Sequence, residues 1–277
     1  MTAEQPNSNN PILPPFLQVF NWTEAILLLI AGSVFFLPEL IRPHWPWVIA
    51  PFNARFVGAV YLGAFTATAI MIIHNRWTPA RVVLSMIFVF TAMVLGVTLL
   101  HLDKFNLQNP ATWGWIIFYI ALPLNSAYHL WLFRNLLPTS APPTNERWRY
   151  FLIMFAVLLG IYGLALLVIP TTASAFWPWP IDAFHGQIYS GTFITIAVGS
   201  YMIAHKARSA EWQALGLTMA VIAIGSIVGL LLTNAVVPLE KKVNWALPGT
   251  WLWMAIITII GTVGATVFSH SRQNIDS

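Results

Sequence analysis

HWPWVIAPFNARF, residues 44–56, returns as FWPWPIDAFHGQI at residues 176–188. Trp45, Pro46 and Trp47 recur as Trp177, Pro178 and Trp179, while Ile49 and Phe52 recur as Ile181 and Phe184, all at an offset of 132 residues. Pro38 with Pro170 and Trp113 with Trp245 extend this register to seven pairs without a gap. Apolar coincidences are expected from the composition, whereas repeated Trp and Pro are hard to obtain by accident. The echo therefore reads as a tandem duplication.

The rest of the chain says what was duplicated. It is 58% hydrophobic and 8% charged, with a mean hydropathy of +0.71, against roughly one-quarter charged residues in a soluble domain. Eight apolar stretches, approximately 23–41, 54–73, 82–102, 111–133, 149–169, 184–204, 213–233 and 246–268, each approach the roughly 20 residues that a helix needs to cross a bilayer. Helices are expected because lipid leaves unpaired backbone groups unsatisfied, and none of the stretches shows the alternation of a barrel strand.

Four stretches fall within one period. An even number returns the chain to its starting side, so both halves enter the membrane in the same direction about an axis along its normal. The expected fold class is an all-α polytopic membrane protein of eight spans. A polar, Pro-rich tail covers 1–21, four-helix repeats cover 22–141 and 142–270 with a turn over 136–147 between them, and a short tail covers 271–277. The first 22 residues carry no Lys or Arg and no small-residue cleavage site follows, which argues against a cleaved secretory signal.

Trp-Pro-Trp falls in the connection between the first two stretches of each half. Proline stops a helix and indole rings favour the headgroup level with their N–H in water, so the motif is expected to be a corner with an interfacial anchor. Small residues four apart, such as Ala59 with Gly63, Gly225 with Gly229 and Gly261 with Ala265, read as seams where helix backbones approach closely.

Arg76, Arg81, Arg134, Arg147, Arg149, Lys206, Arg208 and Arg272 fall on the side of both termini, against Arg42, Arg55, Lys104, Lys241 and Lys242 opposite. That bias puts both termini in the cytoplasm of a bacterial-type inner (plasma) membrane or a thylakoid membrane. The absence of cysteine removes disulfides, thiolate metal ligands and cysteine nucleophiles. There is no cluster of four or more Lys or Arg to support nucleic-acid binding. Phosphate-loop and nucleophile-elbow signatures are absent too, so catalysis is not favoured.

Candidate chemistry is sparse. Residues 25–37 and the cores of the other stretches hold no Asp, Glu, Lys or Arg, which counts against a transporter built on a midplane carboxylate. Asn125 and His129, four apart on one face behind Pro123, and Gln187 are the intramembrane polar candidates; they either line a cavity or bond between helices. Arg55, His101, Asp103, Asp182 and His185 belong to the outer layer and form a candidate mouth for an anionic or polar group. The plainer reading, which the sequence favours, has Asp182 capping a helix, Arg55 snorkelling, and Asp103 and Lys104 in headgroup water. Asn53 and Arg55 correspond to His185 and Gln187, and HLDKF (101–105) to TNAVV (233–237), so the chemistry is less symmetric than the frame.

Seven histidines lack metal-site spacing, so no metal is expected and haem is the least favoured cofactor. Three functional readings follow. The first is a permease or carrier-like protein for a small or amphipathic molecule at the repeat interface; the second is an accessory subunit of a membrane complex; the third is a haem-binding or catalytic membrane protein. The lipid bilayer is the partner common to all three.

Overall fold

Residues 10–136 and 143–273 are described by a computed structural model. Half of the expected turn between halves, residues 137–142, and the outer parts of both tails lie outside the described residues. Ten α-helices follow in chain order: α1 (Pro15–Gly32), the short α2 (Pro38–Ile41), α3 (Pro51–His74), α4 (Trp77–Leu100), α5 (Pro110–Leu132), α6 (Glu146–Val168), the short α7 (Pro170–Ala173), α8 (Ala183–Ile203), α9 (Ser209–Val236) and α10 (Pro248–Gln273). Six begin on proline, whose fixed φ suits a first turn where its missing N–H is no loss. Asn109, Asn145 and Asp182 cap α5, α6 and α8 through their side-chain oxygens. Asn75, at φ 47°, ends α3 in the left-handed conformation.

The protein is an all-α membrane protein. Seven of these helices are long and apolar enough to cross a bilayer. The flanks of α5 and α6 expose Ile117, Leu124, Leu158 and Ile161, an apolar outer surface suited to lipid. The sixth expected stretch, 184–204, forms α8, which is 21 residues long but is not among those seven. Its buried face carries His185, Ser190, Gly191, Thr192 and Gly199. A helix enclosed by protein is released from the apolar composition that lipid demands.

α1 packs on α3 and α6 on α8; α4 packs on α5 and α9 on α10; α3 crosses to α9 and α4 to α8. The first turns of α1, α4, α6 and α9 gather at the end where α10 finishes. There Leu13 N–H meets Asn75 O, Thr144 N–H meets His205 O and Ser209 Oγ meets Ser271 O. The Trp-Pro-Trp segments lie at the opposite end. A Cβ added at Gly225 of α9 would stand 2.7 Å from Ala59 Cβ of α3, and one at Gly229 would stand 3.0 Å from Arg55 Cβ. The α3–α9 seam thus needs glycine for close approach.

Four expectations change. α1 starts at Pro15, well before residue 23, and the segment read as tail contributes Leu13 and Leu17 to a buried cluster. The Trp-Pro-Trp indoles are not interfacial anchors: Trp45, Trp47, Trp177 and Trp179 are all buried. Trp113 and Trp245 do not occupy like places. Thr112 Oγ1 donates to Asn106 O and Trp113 Nε1 to Leu107 O, and the same turn is made by Thr250 with Asn244 O and Trp251 with Trp245 O. The offset there is 138 residues, because α9 runs further than α4 before the chain turns. In consequence the charged turn Leu102–Lys104 has Leu239–Lys241, not 233–237, as its counterpart before the last helix, and an acidic and a basic residue stand in both.

Candidate functional site

At the Trp-Pro-Trp end the two halves are tied by side chains. Trp47 Nε1 donates to His185 Nε2 at 3.1 Å, and Trp179 Nε1 donates to Asn53 Oδ1 at 2.7 Å. Because His185 Nε2 accepts, its proton sits on Nδ1, which donates to Asp182 Oδ1 at 2.6 Å. The same oxygen accepts the His185 backbone N–H at 2.9 Å, closing the first turn of α8. Hydrogen bonds from His185, first through its ring and then through its backbone, hold the Asp182 carboxyl down at about 2.

The five residues of the expected outer mouth do not converge. Asp182 and His185 form the pair just described. His101 Nε2 donates to Gln187 Oε1 at 2.6 Å, and Gln187 Nε2 donates to Leu167 O at 2.9 Å. Arg55 turns to Phe35 O at 2.7 Å, and Asp103 lies exposed in the turn after α4. The cause is local: the turn that follows α1 leaves the Phe35 carbonyl, and the last turn of α6 the Leu167 carbonyl, each of which draws in a donor from α3 or α8.

Among the intramembrane candidates, Asn125 and His129 are buried on one face of α5, with His129 Nδ1 2.9 Å from Asn125 O and the ring stacked near Phe16. Asn125 Oδ1 has no partner among the described residues. Neither residue, nor Gln187, lines either of the two cavities described next. No group of three or more His, Cys, Asp or Glu able to hold a metal is found among the described residues.

The cavity is elsewhere, and it contains a residue that the sequence reading passed over. About 60 Å³ of space lies where α3 and α4 meet α8 and α9, closed on one side by α1 and α5. Its walls are apolar apart from Glu24, the Tyr61–Tyr119 pair and the threonines 91, 192, 195 and 218. Glu24 stands mid-way along α1, 3% exposed, and makes no hydrogen bond or ion pair among the described residues. Tyr61 and Tyr119 share a hydrogen bond of 3.0 Å between their hydroxyls, and the Tyr119 phenol lies within electrostatic reach of Glu24.

A carboxylate at a bilayer centre costs on the order of 2.5–3.5 kcal/mol by insertion scales, and a position that carries one without a partner invites a functional reading. The signal was present in the sequence. A first span expected from residue 23 puts Glu24 at its very end; a helix that starts at Pro15 makes it a central residue. A second, separate space of about 10 Å³ shares Tyr61 and Tyr119 as wall residues and is lined on its other side by Trp47 and Tyr189.

No protein family, curated protein or solved structure matches this chain.

Proposed function

We propose that the protein is a permease or carrier-like protein of eight spans, α8 counting with the seven long apolar helices. It is built from two like-oriented four-helix repeats, and the path of its small solute runs between them through the cavity beside Glu24. The termini lie on the cytoplasmic side of a bacterial-type inner or thylakoid membrane, as the distribution of Lys and Arg supports. Support for the repeat comes from packing: exchange of α1, α3, α4, α5 with α6, α8, α9, α10 leaves the set of helix partners unchanged. The hydrogen bonds behave alike, since Trp47 with His185 becomes Trp179 with Asn53, and Arg55 with Phe35 becomes Gln187 with Leu167.

The observation that carries the functional reading is the placing of the cavity. It opens where helices of both halves cross, the position at which a rocking motion of one bundle against the other exposes a site to alternate sides. The ionisable lining residues, Glu24, Tyr61 and Tyr119, belong to the first half. At an offset of 132 residues from Glu24 and Tyr61 stand Ala156 and Phe193, both buried.

The chain has no cysteine, so single-cysteine variants need no prior changes. Thr195→Cys in α8 and Ala64→Cys in α3, reconstituted in one orientation, are exposed to a charged, membrane-impermeant thiol reagent from either face. Labelling of both positions from both faces is the expected result. Labelling from neither face, in a folded protein, would refute a path through the cavity.

A further inference from the structure

The unpartnered carboxyl, the size of its chamber and the hydroxyls around it point to one ligand. We propose that Glu24 is a proton-binding site, loaded from the end of the bundle where the termini lie.

Size decides against larger ligands. An apolar cavity of about 150 Å³ is needed to hold a benzene ring, whereas a water molecule needs only about 10–15 Å³. The 60 Å³ beside Glu24 therefore admits a few waters and no aromatic or branched amine. Donor chemistry decides against a metal cation. Hard cations collect some six or more oxygens, chiefly from carboxylates and carbonyls, whereas the side chains lining this space supply one carboxyl and otherwise only neutral hydroxyls. No cationic side chain lines the chamber to balance a carboxylate, and a proton balances it without further ligands.

A route is laid out on the same helices. One turn nearer the terminal end stand Asn21 of α1, Thr68 of α3, and Asn125 and Ser126 of α5. All four are buried, and each has a side-chain atom without a hydrogen-bond partner among the described residues. Buried polar atoms in that state are where ordered water binds. Hydronium arriving along such waters gives its proton to the Glu24 carboxylate and leaves as water. On the far side the tyrosine that accepts within the pair keeps its own O–H free, and Tyr189 lies beyond with its hydroxyl unpartnered among the described residues.

Tyr61 of α3 and Tyr119 of α5 are the titratable groups that share the chamber with Glu24, while α4, α8 and α9 present apolar and hydroxyl side chains there. Arg55 of α3 is turned to Phe35 O, His129 of α5 stacks near Phe16, and the Arg81–Glu211 ion pair joins α4 to α9 at their first turns. Coupling of this proton to a solute rests on the carrier reading above; proton binding itself does not.

The test is an infrared pH titration of the full chain, purified and held in lipid nanodiscs. The expected result is a carboxylic-acid C=O band that disappears as pH rises, is absent from Glu24→Gln, and changes frequency in Glu24→Asp, which keeps an acid should Glu24→Gln fail to fold. Tyr119→Phe is expected to move the midpoint. A band that persists in Glu24→Gln, or no titrating band in the native chain, would overturn the proposal. So would a midpoint that shifts about one pH unit for each tenfold change in sodium or potassium, which would assign a cation site. A titrating Glu24 with cavity cysteines that label from neither face would discard the carrier and keep the proton site; the opposite pair of results would do the reverse.

Discussion

Trp47 and His185 are 138 residues apart in the chain and 3.1 Å apart in the fold, joined by an indole N–H that both halves bury. The bond is matched by Trp179 to Asn53, so each half inserts the second Trp of its Trp-Pro-Trp into the other. The aromatic mass around it is continuous: Trp115 packs on Trp45 and Trp47, and Trp253 on Trp177 and Trp179. The segment is a clasp, with apolar area for adhesion and two polar bonds for register.

Removing one clasp bond leaves a buried acceptor without its donor. Trp47→Phe is expected to lower stability by about 1–3 kcal/mol beyond its loss of ring area, and Trp179→Phe by a similar amount. Thermal unfolding in detergent measures this. A double variant with His185→Asn, which replaces one acceptor by the residue type used in the other clasp, is expected to show coupling only with Trp47→Phe.

Asp182 sets an acid limit on that clasp. Its carboxyl is depressed in the folded state, so the stabilisation it confers is present above its ordinary value of 3.8 and is lost as pH falls toward about 2. Acid unfolding followed by tryptophan fluorescence is expected to show native protein and Asp182→Asn differing by a constant amount above pH 4 and converging below it. The side chain is about half exposed, so the difference is small.

The α3–α9 seam predicts an asymmetry between glycines. Gly225→Ala places a methyl group 2.7 Å from Ala59 Cβ and is expected to cost about 1–3 kcal/mol through overpacking. Gly96→Ala meets nothing within 4 Å and is expected to be neutral or slightly stabilising through helix propensity. Thermal midpoints of the two variants compare them directly.

The Arg81–Glu211 pair holds α4 to α9 at the terminal end. Arg81 Nε and a terminal guanidinium nitrogen reach Glu211 Oε1 at 3.0 and 2.8 Å, while Glu211 Oε2 accepts the Arg208 N–H. Glu211 is fully buried. Arg81→Ala is expected to cost about 3–5 kcal/mol, because it strands a buried carboxylate. Loss of monodisperse protein on purification, or a lowered thermal midpoint, reads that outcome.

Much of the frame was legible before the structure. The apolar stretches became helices, Pro38 and Pro170 both opened short helices, and Asp182 stood at a helix cap. Less legible was Trp113, matched to Trp245 by spacing alone, since extra residues after α9 move its place to Trp251. The candidate site was missed for a similar reason. The polar, Pro-rich residues 1–21 read as a tail, although α1 begins at Pro15 and both Asn21 and Glu24 face the protein interior.

By itself the sequence determined that the chain is helical and lipid-embedded, because apolar content over lengths near 20 residues leaves the backbone no other means of satisfying its hydrogen bonds. It also carried the 132-residue echo, which is a property of the string. Only the tertiary structure decided which groups leave lipid and water altogether. Hydropathy scores a residue against solvent, whereas the Trp-Pro-Trp indoles, α8 and Glu24 answer to other parts of the same protein, brought beside them from more than a hundred residues away.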